Sequence, residues 1–144
     1  MSRYGPRSDE RTVADVAGWD DLVSYVRVRY EVMRQADDEL WFNLPTTGDR
    51  TQLVVVRRVA GAGDEPWAQI ASPICKVGDA QLDELLGLAA ESVVGGIVAM
   101  DGVTMFRHSI PLDDTATAAF DRSFHLVVDT ADRLEEHVTG EDVH

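Results

Sequence analysis

The stretch Ile97–Leu112, IVAMDGVTMFRHSIPL, decides the fold. Two runs of strand-forming residues flank Asp101-Gly102, and an Asp-Gly pair readily takes the positive φ angles of a two-residue type I′ turn. A β-hairpin is therefore expected here, and neighbouring elements must cover it. The segment from Asp113 to Gly140 is patterned as a helix long enough to lie across a sheet. In it Phe120, Phe124, Val127, Ala131, Leu134 and Val138 step by four and three, while Asp121, Asp129, Asp132, Glu135 and Glu136 fall elsewhere. Asp113, Asp114 or Thr115 is the expected cap, and Thr139-Gly140 the expected stop.

Upstream of the hairpin, a second helix is signalled by Asp79 as N-cap. Leu82, Leu85, Leu86, Ala89 and Val93 follow along one side, and Gly95-Gly96 stops it. Three strand candidates precede it: Leu40 to Leu44, Thr51 to Val59 and Trp67 to Ser72, the last limited by Pro73. The gaps between them are short, which suits an antiparallel meander. A first helix is expected from Trp19-Asp20-Asp21 to about Ala36–Asp38, with Leu22, Val26, Tyr30 and Met33 at helical spacing. Residues 1–18 read as a flexible arm and 19–142 as one domain. The order is α-β-β-β-α-β-β-α, an α+β domain with a five-stranded antiparallel sheet packed with helices.

The chain has 144 residues and a net charge of −13. Its last segment, residues 113–144, holds nine acids against Arg122 and Arg133. Such a surface repels phosphate backbones and anionic lipid, so neither a nucleic acid nor a membrane is an expected partner. The single cysteine, Cys75, follows an apolar run and reads as a buried thiol. With no apolar leader and no stretch of about 20 apolar residues, a cytoplasmic protein is expected.

Catalytic and metal patterns are weak. His125 and Asp129 lie one helical turn apart but lack a third ligand, and the cysteine count excludes a thiolate zinc site, so no metal is expected. His108-Ser109 are adjacent strand residues, which point to opposite faces and cannot act as base and nucleophile. Gly61-Ala62-Gly63 lacks the lysine and helix start of a phosphate loop.

The two faces of the sheet are more informative. If Leu40, Phe42 and Leu44 face the helices, Trp41 faces away; with Ile70 inward, Trp67 points out; with Phe106, Ile110 and Leu112 inward, Met105 and Arg107 point out. Val54, Val56 and Arg58 share one parity of the middle strand and are placed with that outer group. Trp, Met, Val and Arg together have the composition of a protein interface. The competing arrangement has the third helix covering this face, which would make it ordinary core.

The order of elements, a Trp-Asp-Asp helix opening, RTQLVVVRR, WAQIASPI, VVGGIVAMDGVTMFRHSIPL and ADRLEEHVTGED together resemble the bacterial YbjN-like proteins, related in fold to type III secretion chaperones. The resemblance covers about residues 19–142. It implies a small homodimer that binds an extended peptide or client protein, with no catalysis and no cofactor. A peptide-binding chaperone-like or adaptor protein is thus the first expectation, with Trp41, Val54, Val56, Arg58, Trp67, Met105 and Arg107 as its surface. The second is a small-molecule sensor or enzyme with a pocket between the second helix and the hairpin.

Overall fold

A computed structural model describes residues 13–46, 48–113 and 116–143. The elements run α1 (Val13–Arg29), β1 (Arg34–Ala36), β2 (Glu39–Pro45), β3 (Thr51–Ala60), β4 (Pro66–Lys76), α2 (Leu82–Ala89), β5 (Gly96–Met100), β6 (Val103–Pro111) and α3 (Ala116–Val143). The strands form one antiparallel sheet in the order β1-β2-β3-β4-β6-β5. The hairpin is present as expected. Asp101 has φ 52° and Gly102 φ 81°, the two positive angles of a type I′ turn, and Met100 sits opposite Val103.

The sheet has six strands rather than the expected five. The extra one, Arg34-Gln35-Ala36, is too short and polar to register as a strand, yet it pairs with β2 across the two-residue turn Asp37-Asp38. It occupies the place given above to the end of the first helix. α1 stops at Arg29, and Met33, placed in the core by helical spacing, is exposed.

α1 also starts earlier than expected, at Val13, so residues 13–18 of the anticipated arm are helical; residues 1–12 lie outside the described part. Gly18 lies inside α1, where a glycine costs about 1 kcal/mol relative to alanine. Its place has a packing reason: a Cβ there would sit 3.2 Å from the Leu112 carbonyl oxygen, so glycine lets α1 close on the chain just past β6.

Pro73 does not end β4, which runs on to Lys76 through a register shift between Pro73 and Cys75. The recorded β3–β4 pairing reaches Val55 opposite Ala71 and goes no further toward Pro73. Beyond that point a side chain takes over from the backbone ladder. The buried Gln52 donates through Nε2 to Ser72 Oγ and to the Pro73 carbonyl, both at 2.8 Å.

All three helices lie on one side of the sheet. α3 crosses β3, β4 and β6, α1 packs beside α3, and α2 touches α3 and β5. The six apolar residues of the α3 seam are all buried, as the spacing predicts. They meet Leu40, Phe42, Val54, Val56, Ile70 and Phe106 from the sheet in one core. α3 runs through Gly140 instead of stopping there, and its expected caps Asp114 and Thr115 lie outside the described residues.

The largest departure is α2. It is only eight residues long, is preceded by Gln81 in place of an Asp79 cap, and buries Leu85 alone. Leu82 and Leu86 are 61% and 50% exposed, and Val93, beyond the helix end, 98%. Their spacing does define an apolar side, but nothing within the described chain covers it.

Candidate functional site: the open face of the sheet

Residues directly opposite one another in an antiparallel ladder share a face. Phe42 faces Val54 and Leu40 faces Val56, so Val54 and Val56 belong with the helix-side core, and both are 0% exposed. This corrects their expected outward placement. Arg58, opposite Ala68, has the same inward parity and donates through Nε and Nη2 to Asp38 Oδ1 at 3.2 and 3.1 Å. The run QLVVVRRV is apolar on both parities, so alternation could not decide its orientation; the outward residues of β3 are Leu53, Val55, Arg57 and Val59.

Trp41, Trp67, Met105 and Arg107 do lie on the face turned away from the helices, each half-buried. One row across the sheet reads Arg34, Trp41, Val55, Ala71, Arg107 and Gly96. Next to it stand Pro73, Met105 and Val98. Val55 and Ala71 are 4% and 2% exposed but take no part in the helix-side core, so the taller side chains around them provide their cover. Trp67 packs against Gly61 at the β3–β4 connection, where a Cβ would collide with its indole ring. His108 and Ser109 point to opposite faces, as their adjacency requires, and burial lowers the His108 pKa below its ordinary value.

Charge on this face is organised. Glu39 accepts from Trp41 Nε1 at 3.1 Å and pairs with Arg57 at 2.9 Å, and the Arg34 guanidinium lies 5.7 Å from the centroid of the Trp41 ring. Among the described residues, Arg34, Lys76 and Arg107 have no ion pair.

On the helix side, polar chemistry gathers at the α1–α3 contact. Tyr25 donates to Asp121 Oδ2 at 2.5 Å and Tyr30 to Oδ1 at 2.9 Å, with Arg29 Nε 3.5 Å from Oδ2. His125 Nε2 lies 3.2 Å from the Tyr30 hydroxyl. Burial pushes the Asp121 pKa up, but the hydrogen bonds from Tyr25 and Tyr30 and the nearby Arg29 together outweigh it, leaving it below 3.8. A depressed carboxylate pKa contributes stability that is present above the unfolded value and is lost as pH falls through the folded one. Tyr25→Phe should therefore lower stability near neutral pH by a margin that shrinks below about pH 4. Urea titrations at pH 7 and pH 3 check this, and a margin independent of pH would count against it. The arrangement is a tie between helices, with His125 beside the Tyr30 hydroxyl. Among the described residues no group of three or more His, Cys, Asp or Glu side chains could hold a metal ion. Nor is any described helix long and apolar enough to cross a membrane.

A layer of helices on one face of an antiparallel sheet, with interface-like side chains on the other face, is a two-layer α+β fold. The same fold occurs in a chain of the solved HopA1-SchA chaperone-effector complex. The likeness covers 88% of this chain and 99% of that one, with a TM-score of 0.61 and 11% sequence identity. No protein-family model matches the sequence, and no curated protein matches it.

Proposed function

We propose that this chain is a non-catalytic, chaperone-like protein that binds segments of a client protein on the open face of its sheet and works as a cytoplasmic homodimer. The YbjN-like assignment, drawn from the sequence blocks, is part of this reading. The observation that carries it is the uncovered face itself. Trp41, Met105 and Arg107 stand outward on rigid strands, and such anchors concentrate binding energy in protein interfaces. Likeness of fold to a chain from a chaperone-effector complex supports the same class of function.

Client binding and dimerisation use different surfaces in this reading. The exposed Leu82, Leu86 and Val93 lie on or beside α2, which touches β5. β5 is an edge strand whose sequence, GIVAM, has neither charge nor proline to discourage pairing. An isologous contact between two copies covers both features at once. Light scattering at micromolar concentration should give twice the chain mass; a monomeric mass would remove the homodimer from the proposal.

Client binding is tested by affinity capture from native lysate with the parent chain and with Trp41→Ala, read by mass spectrometry. Partners held by the parent should be lost, since truncating an aromatic anchor costs about 2 kcal/mol or more of binding. The melting temperature of Trp41→Ala should stay close to the parent's. Trp19 provides the contrast, being 3% exposed with Nε1 donating to the Asp37 carbonyl at 2.9 Å; its truncation should cost about 3–5 kcal/mol of stability. A Trp41→Ala chain that melts as early as Trp19→Ala would make Trp41 a core residue and sink the assignment.

A further inference from the structure

We infer that the open face takes an acidic amphipathic helix of the client, a step that rests on the client-binding reading above. The first ground is charge. In a chain with twice as many acids as bases, the six strands contain a single acid, Glu39, against Arg34, Arg57, Arg58, Lys76 and Arg107. Arg58 turns inward to Asp38, and Glu39 is taken up by Arg57. Arg34, Lys76 and Arg107 are left on the outer side without an ion pair among the described residues. Asp37, Asp49, Asp64 and Asp101 sit in the connections beyond the strand ends. The net negative charge of the molecule does not decide the matter, because exposed charges more than about 8 Å away are screened at physiological salt while contact pairs are not.

The second ground is shape. Val55 and Ala71, the short side chains in the middle of the row, lie buried beneath their neighbours, so a partner meets the crowns of Trp41 on β2 and Arg107 on β6. Those two strands are three ladder steps apart, so the two anchors rise about 14 Å from one another at the usual strand spacing. A helix about 10 Å in diameter can lie across both anchors at once. The third ground is hydrogen bonding. Backbone N–H and C=O groups of a sheet point sideways to neighbouring strands, so a segment laid on the face finds no main-chain partners there. A helix satisfies its own backbone and a strand does not. Apolar residues on one side of the helix would meet Trp41 and Met105, and carboxylates on its flanks would reach Arg34 and Arg107.

The test uses the full chain and four labelled synthetic peptides, with affinity read by fluorescence anisotropy. Three share one leucine stripe at helical spacing and carry Glu, Lys or Gln at the flanking positions; the fourth is the Glu peptide interrupted by two prolines. The Glu peptide should bind about tenfold or more tightly than the Lys peptide, and Arg107→Glu should abolish that preference while the melting temperature holds. Equal affinity for the Glu and Lys peptides, a preference for Lys, or undiminished binding of the proline peptide would overturn the inference yet leave client binding standing. Binding of none of the four would overturn both. Arg107→Glu converting a dimer into a monomer would overturn the inference differently, by giving the face to a second copy of the chain.

Discussion

Phe124→Ala is expected to cost about 3–5 kcal/mol of folding free energy. The Phe124 ring is 0% exposed and lies at the joint of all layers. It sits 4.8 Å from Tyr30 at the end of α1, 5.3 Å from Phe42 on β2 and 4.9 Å from Phe120 one turn back on α3, the last pair stacked at 23°. Truncation removes the apolar transfer term, leaves a cavity between rings that cannot collapse, and loses pair terms of about 0.5–1.5 kcal/mol each. Domains of this size have only about 5–15 kcal/mol in hand. The urea midpoint should fall accordingly, with little change in slope; a midpoint near the parent's would show that these rings do not join the layers.

Gly95→Val should destabilise by about 3 kcal/mol or more, clearly beyond Gly102→Val. Both glycines have positive φ, 78° and 81°, so both substitutions incur the left-handed strain of a β-branched residue. Only one of them also collides. A Cβ on Gly95 would stand 2.6 Å from Phe106 Cε2 and 2.9 Å from the Arg107 carbonyl oxygen, whereas nothing lies within 4 Å of the position at Gly102. Gly102→Val is accordingly expected to cost about 1–3 kcal/mol, from strain alone. Thermal melts of the two variants side by side separate strain from collision, and equal losses would mean that Phe106 moves aside.

What could be read in advance depended on whether a pattern had one physical interpretation. The Asp-Gly turn and the alternate four-and-three steps of α3 each had one, and both stand in the structure. The β3 run was apolar on both parities, and only the register of Phe42 with Val54 settles which side faces the core. Three of the seven candidate surface residues moved with it: Val54, Val56 and Arg58 went inward, and Leu53, Val55 and Val59 took their place. The exposed stripe of α2 had a correct period and a wrong cover, because amphipathic spacing reports that a face wants burial, not what buries it. β1 had no pattern at all; two polar residues and an alanine become a strand only because β2 offers them an edge. Pro73 read as a limit on its strand, and a tertiary contact with the Gln52 side chain makes the position part of a continuing element.

The position of α3 in the chain also orders events on the ribosome. Every strand is synthesised before the helix that covers the sheet. The meander of β1 to β4 is built from neighbours in sequence and can form early, while β6 must dock beside β4 across α2 and β5 before the sheet is continuous. Until the last helix emerges, Phe42, Val56, Ile70 and Phe106 have no lid, so the nascent chain carries apolar side chains on both faces of one sheet. A ribosome stalled or terminated before residue 116 would release a two-sided hydrophobic sheet, an aggregation-prone species that the finished protein never presents.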